Sequence, residues 1–321
     1  MAVLRAALTL LFAAGASARA AGGVLVGLSA DSPTYLVHVD PLTAAFVLAG
    51  PKLPDELTAQ QLAAVDPSRG LFFALGFDTA KLETNLVTLN ATSGAVVGRV
   101  AVPGIFEGDL VGVGQNLDVD PASGHVIVSG HRSSSSAIEV GTIDPATGAV
   151  TPIVSLPKTL SDADSCVSAF NPDDGSVTIG VSSAGASELV NVELATKKVT
   201  PVAESFAEGH LVQTLMYSRA AKRYVGLGIS PDSTHRTVVA LDARTFNFTV
   251  AGQVDGFLVE MGPISALDPA TGTIYWMGAK GATTFPFFVV GVSSTTAKVV
   301  SASKALPEGE EPWQLLWLPT A

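Results

Sequence analysis

One hairpin signal recurs along this chain at a step of about fifty residues, and it constrains the fold more than anything else in the sequence. An apolar run leads into Asp-x-x-Thr, or a close variant, and a second apolar run follows. It reads LVHVD-PLT at Asp40, LVTLN-ATSG at Asn90, VGTID-PATG at Asp144, LVNVE-LAT at Glu193, VVALD-ART at Asp242 and VVGV-SST at Val292. The steps are 50, 54, 49, 49 and 50. A second signal interleaves with the first: AAVDPSRG at Asp66-Pro67, LDVDPASG at Asp120-Pro121, SAFNPDDG at Asn171-Pro172 and SALDPATG at Asp268-Pro269. LMYSRAA, with Tyr217-Ser218 in the turn slot, is a degenerate copy, and Leu318-Pro319 is the last. Asp or Asn bonds the backbone ahead of it, Pro presets φ, and a closing Gly takes positive φ. Between the turns lie short alternating runs such as LFFALG, HVIVSG, SVTIGV and TIYWMG, which read as strands.

Each repeat therefore holds four strands, a to d, with Asp-Pro turns between a and b and Asp-x-x-Thr turns between c and d. Four antiparallel strands per forty to fifty residues is the blade of a β-propeller. Residues 22–321 allow about six such units at the observed step. The chain opens with GVLVGLS, TYLVHVD and AAFVLAG, which read as b, c and d, and it closes with WQLLWLP, which reads as a. The two ends complete one blade and remove the free edges of an open sheet. The expectation is an all-β, six-bladed propeller forming one domain over 22–321, with seven blades as the alternative.

Residues 1–20 read differently. Arg5 precedes the apolar stretch AALTLLFAAGA, and Ala18-Arg19-Ala20 is a small-x-small site, the layout of a secretory signal peptide. The expected location is extracellular, or periplasmic in a bacterium. No later apolar run is long enough to span a bilayer as a helix. The net charge of −11 argues against nucleic acid and anionic membranes as partners. A single cysteine, Cys166, excludes an intrachain disulfide framework and reads as a small buried hydrophobe in a strand a. A monomer is expected.

The AVDPSRG, LDVDPASG and ALDPATGTIYW turns, with the LDART and IDPATG hairpins, resemble the repeats of YncE-like, NHL and quinoprotein-like propellers. The resemblance covers nearly all of 22–321 and implies the fold; many unrelated functions share it. The Trp that closes each quinoprotein repeat after strand d is missing, so the resemblance implies no quinone cofactor.

The d–a connections are the segments most informative about function. They hold Asp55, Glu56, Glu107, Asp109, Asp162, Asp164, Glu204, Glu208, Asp255, Glu260, Glu308, Glu310 and Glu311, against Lys52, Lys158 and Lys304. In a propeller these connections and the b–c loops share one end of the channel, so an acidic mouth is expected. Converging carboxylates suit a hard cation such as Ca²⁺ or a cationic ligand; the alternative is a solvated rim. The candidate ligand-binding face is Asp109, Asn116, Asp164, His210, Gln213, Glu260 and Gln314. Six-bladed lactonase-type propellers hold a metal with Glu, Asn and Asp, and Glu260, Asn116 and Asp164 supply those types here without a motif that fixes the match. No cofactor is demanded by the sequence; Ca²⁺ is the candidate ion.

No histidine has HExxH or i,i+4 spacing, and G-x-S-x-G and Walker motifs are absent. Two N-glycosylation sequons occur, Asn90-Ala91-Thr92 and Asn247-Phe248-Thr249. Trp276, Trp313 and Trp317 fall in strand patterns and read as packing residues. The leading reading is a secreted module that binds a protein or small-molecule ligand through its acidic face. The alternative is a calcium-type metal-dependent hydrolase or lactonase.

Overall fold

The computed structural model describes residues 22–29, 33–57, 62–103, 116–131, 137–156, 165–183, 186–202, 211–230, 235–257, 265–279, 286–306, 312 and 315–319. Their strands form six four-stranded antiparallel sheets. Blade 1 contains β1 (Gly23–Leu28), β2 (Leu36–Val39) and β3 (Phe46–Ala49). Blade 2 is β4 (Ala63–Asp66), β5 (Leu71–Asp78), β6 (Glu83–Asn90) and β7 (Val96–Ala101). Blade 3 is β8 (Asn116–Val119), β9 (Val126–His131), β10 (Ile138–Ile143) and β11 (Val150–Ser155). Blade 4 is β12 (Ser165–Asn171), β13 (Ser176–Ser183), β14 (Ala186–Glu193) and β15 (Lys198–Val202). Blade 5 is β16 (Leu211–Ser218), β17 (Arg223–Ile229), β18 (Arg236–Asp242) and β19 (Phe248–Val254). Blade 6 is β20 (Ser265–Asp268), β21 (Thr273–Ala279), β22 (Phe287–Ser293) and β23 (Val299–Ala305).

The remaining strand, β24 (Leu316–Pro319), supplies strand a of blade 1. It pairs antiparallel with β1, with Val24 opposite Leu318 and Leu25 opposite Trp317. The innermost strands β24, β4, β8, β12, β16 and β20 each touch the next around a closed ring. Six blades close the circle, so a seventh is not needed. The Trp317 ring stacks on Tyr275 of blade 6, centroids 5.4 Å apart and planes 2° from parallel. That contact ties the last strand to the blade beside it.

Burial follows position in the blade. Strands b and c are covered on both faces by neighbouring blades, so they read as continuous apolar runs; β21 is buried along its whole length. The outermost strands are half open, and β7 leaves Val96 and Val97 exposed. The core is correspondingly divided into wedges between blades, such as Val26, Leu36, Phe72, Val87 and Leu89 between blades 1 and 2. Trp276 is fully buried between blades 5 and 6.

The turns behave as their sequences require. Asp40 Oδ1 accepts the amides of Leu42 and Thr43 at 2.8 Å each. Asn90, Asp144, Asp242 and Ser293 repeat this bonding in their own blades, while Glu193 instead takes the Thr196 hydroxyl. Gly94 and Gly148 close two of these turns at φ +66° and +74°. A Cβ at either would overlap a carbonyl at the end of the preceding blade's outer strand, Ala49 or Ala101. Glycine is needed there for close approach as well as for φ. Ala44, Lys197, Phe246 and Ala297 adopt the same left-handed backbone in the other four c–d turns without being glycine.

Candidate ligand-binding face

Strand direction fixes what each end of the ring carries. The a–b and c–d turns lie at one end; the d–a connections and b–c loops lie at the other. The expected ligand face belongs to the second. Asp109, Asp164, His210, Glu260 and Gln314 lie outside the described residues. So do residues 1–21, Trp313 and the side chain of Cys166. Asn116 is the first residue of β8, with its side chain outside the description.

Gln213 is described: it lies half-buried on β16, and its Oε1 accepts a bond from Arg236 Nη1 at 2.9 Å. Asp55 and Glu56 sit in a single 3₁₀ turn, Asp55–Leu57, packed on β5. Gly76 permits that packing, because a Cβ there would meet the Glu56 carbonyl at 2.9 Å. Neither carboxylate is unpaired. Lys52 Nζ lies 2.7 Å from Asp55, and Arg99 reaches Glu56 at 2.5 Å and Asp78 at 3.2 Å. Thus two of the thirteen expected mouth carboxylates have cationic partners from their own neighbourhood. Asp255 is exposed. Among the described residues, no group of three or more His, Cys, Asp or Glu could hold a metal ion.

Two acidic side chains that the turn pattern does not single out link adjacent blades. Asp118, on innermost strand β8, accepts the amide of Phe170 on β12 at 3.1 Å. It thereby satisfies an edge N–H of blade 4 that no strand pairs. The corresponding inner-strand residues of the other blades, judged by distance from the turn slot, are Ala64, Ala169, Met216, Ala266 and Leu316. Burial in this apolar hub pushes the Asp118 carboxyl up to about 7, and the Phe170 amide only partly offsets it. Beside it, Ser129 and Ser168 share a buried hydroxyl bond of 2.7 Å between blades 3 and 4.

At the turn end, Asp173 of blade 4 receives Lys222 Nζ at 2.6 Å and Tyr217 Oη and Arg219 Nε at 2.8 Å each, all from blade 5. The Lys222, Tyr217 and Arg219 bonds hold its carboxyl down at about 2. The signal that finds these contacts is an offset of one repeat: Asp173 precedes Arg219 by 46 residues and Lys222 by 49, and Asp118 precedes Phe170 by 52.

The sequons also differ. Asn90 Oδ1 is occupied by the amides of Thr92 and Ser93, whereas Asn247 is exposed at the start of β19.

The arrangement places the chain in the class of six-bladed β-propellers. No protein-family model matches it, and no curated protein matches it in sequence. Among solved structures, TolB from Acinetobacter baumannii is similar with a TM-score of 0.62 at 13% identity, over 94% of this chain and 67% of that one. A putative TolB from Agrobacterium tumefaciens gives 0.55 at 8% identity, over 94% and 92% of the two chains. A chain of a nidogen/laminin complex gives 0.58 at 10% identity, over 92% and 98%. Likeness at these identities shows the fold alone. It shows the six-bladed propeller fold; membership of the YncE or NHL families is not shown. No helix among the described residues is long and apolar enough to cross a membrane.

Proposed function

We propose that this propeller is a secreted binding module that receives a cationic partner, a Lys- or Arg-rich protein segment, on its connection end without catalysing a reaction. The observation that carries this reading is the sequence distribution of charge. The d–a connections hold 13 of the 29 acidic residues and only Lys52, Lys158 and Lys304 as bases. These thirteen lie outside the repeated Asp-Pro and Asp-x-x-Thr turn motifs, and a concentration of one sign there raises the encounter rate with the opposite sign. The nidogen/laminin complex among the fold neighbours supports a protein as the partner. Residues 1–20 would deliver the domain outside the cell or to the periplasm.

The test is calorimetric titration of the purified protein with an oligolysine peptide, and separately with CaCl₂, at low and high salt. Salt-sensitive peptide binding that is lost on neutralising Asp109, Asp164 and Glu260 is the expected result. Absence of both peptide and Ca²⁺ binding removes the reading. A metal-dependent hydrolase would instead require Glu260, Asn116 and Asp164 around one ion at about 2.3–2.6 Å, with stoichiometric calcium in the purified protein.

A further inference from the structure

We propose that Asn247 carries an N-linked glycan that shields the outer edge of blade 5, and that Asn90, the other sequon, carries none. The inference rests on the reading of residues 1–20 as a secretory leader, because the modification is added in the secretory lumen.

The first observation is that one sequon asparagine is explained without a sugar and the other is not. Asn90 fills the slot held by Asp40, Asp144 and Asp242 elsewhere, and its carboxamide oxygen binds Thr92 N–H at 3.0 Å and Ser93 N–H at 2.9 Å. Its turn is pressed on blade 1: His38 Nε2 bonds the Ala91 carbonyl at 2.8 Å, and Gly94 lies against Ala49. A glycan attached before folding must still fit after it, and here the neighbouring blade limits the room. Asn247 is exposed, as is Thr249 two residues on, and its carboxamide bonds none of the described residues. The turn uses only its backbone, through Thr245 and Asp242.

A second, independent observation is the edge that Asn247 begins. An outer strand presents unpaired N–H and C=O groups, which proteins guard with Pro, charge or short length. Blade 1 has a four-residue outer strand. Arg99 marks β7, Pro152 marks β11, Lys198 and Pro201 mark β15, and Lys304 marks β23. The seven residues of β19, FTVAGQV, contain neither Pro nor charge, and Val250 is exposed. The ladder of β19 with β18 carries a bulge at Val238/Val239, and a bulky hydrophilic group at the first end of β19 adds what Pro or charge supplies on the other long outer strands. It stands at the turn end of the blade and leaves the connection end open.

The experiment expresses the full chain in a glycosylating eukaryotic secretory host, in one arm with its own N-terminus and in a second behind a heterologous secretion leader. Intact mass is read before and after peptide-N-glycosidase for wild type, Asn90→Gln, Asn247→Gln and Thr249→Ala. Expected are one glycan on wild type and Asn90→Gln, and none on the other two, with an unchanged thermal melt for Asn247→Gln and a lowered one for Asn90→Gln, which loses its bonds to the Thr92 and Ser93 amides. Unglycosylated Asn247→Gln should aggregate several-fold more than wild type, and adding Val250→Lys should reverse that. A glycan that survives in Asn247→Gln, or none on wild type delivered by the heterologous leader, overturns the inference. Failure of the first arm alone counts against the reading of residues 1–20 and leaves the second arm to decide the site.

Discussion

The two ends of the ring use acidic residues in opposite ways. At the turn end, carboxylates are spent on backbone: Asp40, Asp66, Asp120, Asp144, Asp242 and Asp268 each accept amides of the residues that follow them. Thr245 and Arg244 amides hold Asp242 below the usual carboxylate range for this reason. At the connection end Asp78 likewise accepts the amides of Ala80 and Lys81, but the thirteen acids of the d–a connections lie outside the repeated Asp-Pro and Asp-x-x-Thr motifs, and the sequence concentrates them there. Where the structure describes that end, at Asp55 and Glu56, local cations meet them. A residue type can thus be repeated six times for the fold at one end and accumulated outside the turn motifs at the other. Composition alone cannot tell these uses apart; position relative to the turn can.

The comparison breaks most readily at the turn end. Replacing Asp40, Asp144 and Asp242 together by Ala should cost about 3–5 kcal/mol, since each loses charge-assisted bonds to backbone and the three sit in separate blades where effects add. Chemical denaturation measures it, and a loss below about 1 kcal/mol would mean the turns hold without their side chains.

Asp118 sharpens the picture by belonging to neither end. Its folded pKa of about 7 lies above the ordinary carboxylate value, so its favourable contribution is complete below about pH 4 and is lost as pH rises through 7. Wild type should therefore lose on the order of 1–2 kcal/mol between pH 5 and pH 8 relative to Asp118→Asn, a figure reduced for its partial contact with solvent. Parallel pH profiles for the two proteins would contradict the hub assignment.

Asp173 has the opposite sign. Its carboxyl titrates near 2, so its contribution is present above about pH 4 and disappears as pH falls through 2. Asp173→Asn should cost about 1 kcal/mol at neutral pH, because the Arg219 and Lys222 partners are largely exposed. The smallest effect is a gain. Lys197 is exposed at φ +58°, so Lys197→Gly should stabilise by about 0.5–1 kcal/mol by relieving the left-handed backbone.

Much of the architecture is legible in the sequence because each blade announces itself locally. Asp-Pro and Asp-x-x-Thr need only a few neighbours to make their turns, and the WQLLWLP tail matches the strand missing from the first blade. The joints between blades are less legible. Asp173 meets Lys222, and Asp118 meets Phe170, only because a fifty-residue step brings successive turns and inner strands side by side. Scanning for opposite charges one repeat apart finds the first pair, but nothing local marks the second. Paired acids at the connection end escape for the same reason: Glu56 and Arg99 are 43 residues apart.

The division of labour between the ends is tested most directly by thermal melts of two triple variants, with and without saturating oligolysine. Asp109→Asn, Asp164→Asn, Glu260→Gln should melt with wild type and gain nothing from the peptide, while Asp40→Ala, Asp144→Ala, Asp242→Ala should melt lower and still be raised by it. A peptide-induced rise that survives in the first variant and vanishes in the second would contradict the account.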